Sequence, residues 1–553
     1  MSFPKAAAAL IALAVPFAVG GPVAQATPNA AMKLNSAAAK SPSRTVVALA
    51  QFKPGVSDKR ARAIVRAHHG KITNNLPAIG GFAVKLSARS ARELKGAKGV
   101  LNVTLNTKVK TTAIGLPILG QGSSAAPRGL QTTFPQTVGA TALNAQGLTG
   151  KGVGVAVIDS GIAGDHPDFK NAAGGSRVTN VVVNPTALLS GDPIGHGTHV
   201  AGIIAGNSNN RPAGDPNKGA YQGVAPDADI IALKTADDLG NSTVLDVINA
   251  LQFVVDYRTD LNIQVVNLSI SSDTPSSYKD DPLDAAVEFV WHAGVVVVAA
   301  VGNRGDAADA AQYAPGNDPF VISVGAADEN GTAAATDDTL ADFSSRGVTQ
   351  DGFSKPDVVA PGSHITAPLA PLGLFSVLCL QCVTDSQYFK MGGTSMASPV
   401  VAGAAALLLQ ARPDLNPDQV KALLVNGTGS LNELNLQKAL AGNPGAGANQ
   451  GVHQNDVVYE TLVTNGEDPT RTGWTKASWT KASWTSTSTT KASWTKASWT
   501  SAIAAPWAKA TWTCGTCEAL NSTAALLTKS SWSKSSWSKS SWSKSSWSSH
   551  PEW

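Results

Sequence analysis

From Lys151 onward the chain alternates short, unbroken apolar runs with longer segments of helical period, and this alternation narrows its folding more than any other feature. The runs are VGVAVID, ADIIALK, IQVVNLSI, GVVVVAAVG and PFVISVGA, with TVLDVINALQFVVDY and PLDAAVEFVWHA among the intervening segments. A strand that is apolar on both faces has to be covered on both, and parallel neighbours need connections long enough to hold a helix. The expectation is an α/β fold, a mostly parallel sheet with helices on both faces, occupying residues 130–445. Ligands of such sheets bind beyond the carboxyl ends of the strands. The last helix of this body is expected to start at Asn416, with Pro417 as its first helical residue.

The remainder of the 553 residues divides by composition. Residues 1–26 carry Lys5, an apolar run broken by Pro16, and the small-residue pattern Ala24-Gln25-Ala26, the layout of a secretory signal peptide. Residues 45–110 read as a small α+β unit, with strands TVVALAQF, GGFAVKLS and VLNVTLN separated by two helices. The second helix is expected to open with a capping box between Ser90 and Glu93. A Gly/Pro/Ser/Gln-rich connection from 114 to 135 reads as a linker. No stretch reaches the roughly 18 apolar residues of a membrane span, so no transmembrane segment is expected. The net charge of +4 conceals opposed regions: residues 1–130 carry +16, residues 131–470 carry −20 and residues 471–553 carry +8. A basic leader beside an acidic body suggests mutual attraction, not nucleic-acid binding. A merely solvated charged surface is the alternative.

Three short segments carry chemistry. The first strand ends in VIDSG and sets Asp159 at the carboxyl edge of the sheet; GHGTHVAG places His196 where a glycine-flanked turn enters a helix; GGTSMASP places Ser395 before an alanine-rich helix. An unassisted serine hydroxyl is a weak nucleophile, and an aspartate-oriented imidazole is what activates it. VIDSG, GHGTHVAG and GGTSMASP, in that order, resemble the three signature segments of the subtilisin-like serine peptidases, the subtilase family, over about residues 135–440. The resemblance implies that Asp159 orients the ring, His196 acts as base and then acid, and Ser395 is the nucleophile. Asn303, in AAVGNRG, would donate its amide to the oxyanion with the Ser395 backbone N–H. His199 is expected to be a packed structural histidine, and Pro399 to be tolerated as a first-turn residue. Val400 stands where many family members carry histidine. The basic unit is similar to the family's inhibitory propeptide, which implies a zymogen (propeptide and linker 27–125) cut between residues 110 and 135.

By the same resemblance, Leu268, Ser269, Ile270 and Ser271, with Ala299, Ala300, Val301 and Gly302, would border the pocket for the residue before the cut. Ser271 replaces a common glycine there and puts backbone pairing with substrate in question. The chemistry requires no cofactor, and Asp168 with Asn209 would mark a structural calcium site. Partners are then protein or peptide substrates and the chain's own propeptide. The four cysteines form two close pairs, Cys379/Cys382 and Cys514/Cys517, which export favours as disulfides over a zinc site; three connectivities are open, and a bridge between the pairs would pin the tail beside the loop that precedes Ser395. Twelve of thirteen tryptophans follow Gly473, many five residues apart, a period that lines neither a strand nor a helix face. Residues 446–553 therefore read as a low-complexity tail, either a solvated appendage or an anchor whose indoles and lysines hold cell-envelope polymers or glycans. The expected location is secreted, extracellular or envelope-associated. A rival reading makes the tail the working part, in an envelope-binding protein whose catalytic body is silent.

Overall fold

A computed structural model describes residues 29–111, 132–208, 214–215, 218–384 and 387–464. The expected signal peptide, most of the linker, Asn209, Cys514, Cys517 and the tryptophan repeats lie outside the described residues.

The body is built on an eight-stranded sheet. Its strands are β6 (Gly154–Asp159), β7 (Val178–Val182), β8 (Asp229–Lys234), β10 (Ile263–Leu268), β12 (Val296–Ala300), β13 (Ile322–Asp328) and β14 (Val358–Pro361), with the short strand Thr339–Leu340 at one edge. The order runs Thr339–Leu340, β13, β12, β10, β6, β8, β7, with β14 also on β13, and only the Thr339–Leu340 pairing is antiparallel. Every residue of β6 and β12 is buried, as unbroken apolar runs require. The crossover helices α5 (Val244–Tyr257) and α6 (Pro282–His292) fall on the two predicted helical segments. Thr243 and Asp246 cap α5 reciprocally, and the Asp281 carboxylate accepts the first N–H groups of α6, satisfying donors that have no partner within the helix.

Ahead of the body stands a separate unit with helices α1 (Ala30–Lys40), α2 (Asp58–Ala67) and α3 (Ala88–Lys95) and strands β1 (Thr45–Phe52), β2 (Lys71–Leu76), β3 (Gly81–Ser87) and β4 (Val100–Leu105). The sheet order β2-β3-β1-β4 is antiparallel throughout, the split βαβ arrangement. Both faces of β1 are covered: Ala48, Ala50 and Phe52 meet the unit's own helices, and Leu49 joins the core of the body. Two details depart from expectation. The unit reaches upstream of residue 45, because α1 buries Leu34 against it. The cap of α3 is Ser87, whose hydroxyl accepts the Ser90 N–H at 3.1 Å, since the helix begins as soon as β3 ends.

The body also extends beyond its expected end at 445. After α7 (Thr394–Ala411) and α8 (Pro417–Asn426), the chain forms α9 (Asp456–Thr464), so α8 is not the last helix, although its Asn416/Gln419 capping box is as expected. The Asn455 N–H reaches both Glu288 carboxylate oxygens at 2.8 Å, and its amide donates to the Tyr278 and Asp281 carbonyls. Helix α7 is long and apolar enough to cross a membrane by composition, but 89% of it is buried in the body. Cys379 is joined to Cys382, so the disulfide closes within the first pair and does not tie the loop to the tail.

Candidate active site

Asp159 is the last residue of β6, and His196 is the first of α4 (His196–Ala205). The two meet with Asp159 Oδ1 2.7 Å from His196 Nδ1, both side chains fully buried. An Nδ1–H donated to the carboxylate fixes the tautomer that leaves Nε2 as the basic nitrogen, and Nε2 has no hydrogen-bond partner among the described residues. Burial alone would lower the pKa of His196. The Asp159 charge and hydrogen bond, with Asp192, outweigh burial and raise it above the ordinary value.

Asp192 was not foreseen, yet it ties the pair together. Its Oδ1 accepts the Ser160 hydroxyl and the Gly195 N–H, each at 2.8 Å, and its Oδ2 accepts the Thr198 N–H and hydroxyl. Ser160 in turn accepts the Gly197 N–H at 3.0 Å. One buried carboxylate thereby aligns the strand end carrying Asp159 with the helix start carrying His196. Burial raises the pKa of Asp192, against the pull of these hydrogen bonds. Sequence alone offered only an acid three residues before a glycine. His199, one turn further on, points its Nε2 at the Ile365 and Phe389 carbonyls, and burial lowers its pKa to about 3. It is the structural histidine expected.

Ser395 is the second residue of α7, following Gly393 at φ 142°, a backbone conformation that favours glycine. Its hydroxyl donates to the Ser269 carbonyl at 3.1 Å, at the end of β10 beside β6. Pro399 is not in the first turn as expected; it is the sixth residue of the helix. A residue there would normally donate its N–H to the Ser395 carbonyl, and proline has none to give. The Ser269 hydroxyl takes that carbonyl instead, at 2.9 Å. Asn267 donates to Ser269 Oγ at 3.0 Å and accepts the Ser398 hydroxyl at 2.7 Å. Ser269, expected at a pocket wall, is therefore part of a buried brace beneath Ser395.

Asn303 follows Gly302, whose φ of 110° turns the chain out of β12. Its Oδ1 accepts both the N–H and the hydroxyl of Thr394, each at 3.0 Å, which aims the amide nitrogen to the other side. The Thr394 hydroxyl also accepts the Gly302 N–H at 3.2 Å. The residue before the serine thus orients the asparagine.

Of the expected pocket residues, Leu268 and Ala299 face each other in register within the sheet, and Ala300 and Val301 are buried beside them. Ile270 and Ser271 belong to strand β11 (Ile270–Ser272), which pairs with β5 (Lys108–Thr111) of the N-terminal unit. Ser271 pairs with Lys110, so a side chain at the usual glycine position does not prevent backbone pairing. On its other edge β5 pairs with β9 (Ser242–Thr243). Asp168 is buried; its carboxylate accepts the Tyr388 hydroxyl at 2.8 Å, and its carbonyl accepts the Arg177 guanidinium at 3.0 Å. Asn209 lies outside the described residues. No group of three His, Cys, Asp or Glu side chains among the described residues is placed to hold a metal ion.

A carboxylate–imidazole pair, a serine at a helix start and an asparagine amide at the carboxyl edge of one parallel sheet define a class: α/β hydrolytic proteins of the serine type. The subtilase family pattern matches residues 150–451, and the chain belongs to that family of serine peptidases. It is 43% identical over 292 residues to the serine protease AprX of Bacillus subtilis, covering 52% of this chain and 63% of AprX. It is 31% identical over 377 residues to subtilisin E of the same species, covering 68% of this chain and 82% of that protein. Among solved structures it is similar to fervidolysin from Fervidobacterium pennivorans, described as a keratinolytic enzyme related to subtilisin. The TM-score is 0.54 and the identity 25%, over 72% of this chain and 61% of that one. The matched region is thus less than two thirds of AprX and of fervidolysin.

Proposed function

We propose that this chain is the zymogen of a secreted serine endopeptidase that cleaves peptide bonds through an acyl-enzyme. The observation that carries the reading is the 2.7 Å Asp159–His196 pair, set at the same sheet edge as Ser395 and Asn303. In the reaction the Ser395 hydroxyl turns from the Ser269 carbonyl to His196 Nε2 and attacks the peptide carbonyl carbon as the imidazole takes its proton. Asp159 stabilises the imidazolium, and the Asn303 amide with the Ser395 N–H receives the charge on the carbonyl oxygen. His196 then protonates the leaving nitrogen. Water, activated by the same imidazole, releases the acyl group. These steps need no cofactor.

The zymogen reading is supported by β5, which lies in the groove between β9 and β11 as a substrate strand would. It ends at Thr111 beside Ile270, next to the Ser269 carbonyl that holds the Ser395 hydroxyl, so the maturation cut is expected within the few residues after Thr111. Comparison of wild type with Ser395→Ala tests both readings. The variant should stay full-length and leave a peptide library uncut, and equal cleavage by both proteins removes Ser395 as nucleophile. N-terminal sequencing of the mature wild type should begin just past Thr111, and a start near residue 130 would show that β5 is not held as a product strand. A structural calcium involving Asp168 and Asn209 remains a proposal for a chelator melt. Envelope attachment through the tail is tested by deletion after residue 470: retention on cell walls should fall with peptide turnover intact, and unchanged retention rejects it.

A further inference from the structure

The apolar surface that the proposed chemistry does not use lies beside the histidine. Between β14 and α7 the chain exposes Leu372, Leu374, Val377, Leu378 and Leu380, at 94%, 43%, 66%, 59% and 75%. Scattered apolar residues on a surface are ordinary, but five within nine positions form a patch of the kind that marks a contact site. The segment is held in place. Cys379 and Cys382 are joined and buried while Leu380 between them points outward. The Leu374 N–H donates to the Pro193 carbonyl at 2.8 Å and the Phe375 N–H to the Ile194 carbonyl at 3.1 Å, which fastens the segment to the residues just before His196. The Phe375 ring stands edge-on to the imidazole, centroids 6.4 Å apart at 89°.

Chemistry says which half of a substrate meets this wall. The acyl half follows the groove of β5, between β9 and β11, and ends at Ser395. The imidazole that takes the serine proton must return it to the leaving nitrogen, so the leaving half necessarily lies against His196. A side chain one or two residues past the cut therefore comes to the flank that Phe375 and its neighbours occupy.

We propose that the disulfide-closed segment 372–382 forms the wall for the leaving half of the peptide, with Leu374, Val377 and Leu378 selecting apolar side chains immediately after the cut. This selection rests on the endopeptidase reading above. An apolar wall favours a buried apolar side chain and penalises a carboxylate that finds no partner there.

The test uses mature wild type and the double variant Val377→Ser/Leu378→Ser on two sets of quenched peptides. The sets are identical up to the cut and carry either leucine or aspartate at the two positions after it. Wild type should cleave the leucine set on the order of 10-fold faster in kcat/KM. In the variant that ratio should fall to within about 3-fold. Both rates scale with the amount of folded enzyme, so the ratio is insensitive to partial misfolding. A wild type without preference, or a variant that keeps the full ratio, overturns the proposal. A peptidyl anilide, which has no residue after the cut, separates the two readings. Turnover of the anilide by wild type without leaving-side preference sinks the wall alone, and no turnover of any substrate sinks the hydrolase reading with it.

Discussion

At the scale of single residues, the site depends on who holds the reacting groups. Thr394 fixes the orientation of Asn303 by accepting nothing from it and donating twice to its oxygen. Asn303→Ala should therefore lower kcat by about 100- to 1,000-fold with little change in KM, because the amide acts on charge that exists only in the transition state. A KM effect alone would assign the amide to ground-state binding. The raised pKa of His196 has a direct kinetic sign. The base must be neutral, so kcat/KM should fall as pH drops through a midpoint above 6.5. Asp159→Asn should move that midpoint down and cost on the order of 10,000-fold in kcat. A midpoint unmoved by the substitution would mean that another group sets it. Asp159, His196 and Ser395 were legible as candidates because each sits in a distinctive glycine-flanked string. Asp192, Asn267 and Ser398 were not, because a buried side chain that only braces others leaves no local pattern.

At the scale of elements, the least expected is α9. Its residues carry no strong signal in sequence and sit beside the tryptophan repeats, yet Val457 and Leu462 are buried. A side-chain carbon at Gly80 would lie 3.0 Å from Val457 Cγ1, so α9 touches the N-terminal unit as well as packing on α6. The same turn, Pro77–Ile79, packs on α6, and the Ala78 N–H donates to Gln252 of α5. In the uncut Ser395→Ala chain, Val457→Asp would place a carboxylate without a partner at that junction. Hydrogen exchange should then speed up in both 456–464 and 77–80. Faster exchange in α9 alone would show that the helix does not help to hold the unit. Strands and crossover helices were legible from period and continuity. The ends of α3 and of the body were not, because Ser87 and Ser90 are equivalent cap residues until the length of β3 is known.

At the scale of the whole molecule, the charge asymmetry makes few direct contacts between the described parts of the two units. Among the described residues, Lys33–Asp273 at 3.0 Å is the ion pair that joins the two units, while apolar faces and the β5 strand make most of the junction. Burial also raises the pKa of several carboxyls well above the ordinary range. It pushes Asp318 and Glu329 up to about 7 and Glu433 to about 9. A carboxyl whose folded pKa exceeds its unfolded value binds its proton more tightly when folded, so it stabilises the fold at low pH and loses that contribution as pH rises. The melting temperature of Ser395→Ala, which cannot digest itself on the proposed mechanism, should therefore decline between about pH 7 and 8, above the range in which buried His199 and His292, both held at about 3, add an opposing rise. A flat or rising profile would mean that these groups ionise without cost.

The sequence by itself determined the α/β class, the main buried strands with the two crossover helices between them, and the residues carried by the three glycine-flanked strings, because apolar period and turn chemistry are local properties. Only the tertiary structure decided what those residues face. Whether Ser269 lines a pocket or braces Ser395, whether Pro399 frees a carbonyl that a distant hydroxyl then takes, and where β5 comes to rest all depend on segments far apart in the chain. The physical reason is that a hydrogen-bond partner or a covered face is chosen by folding in space, and no periodicity along the chain records it.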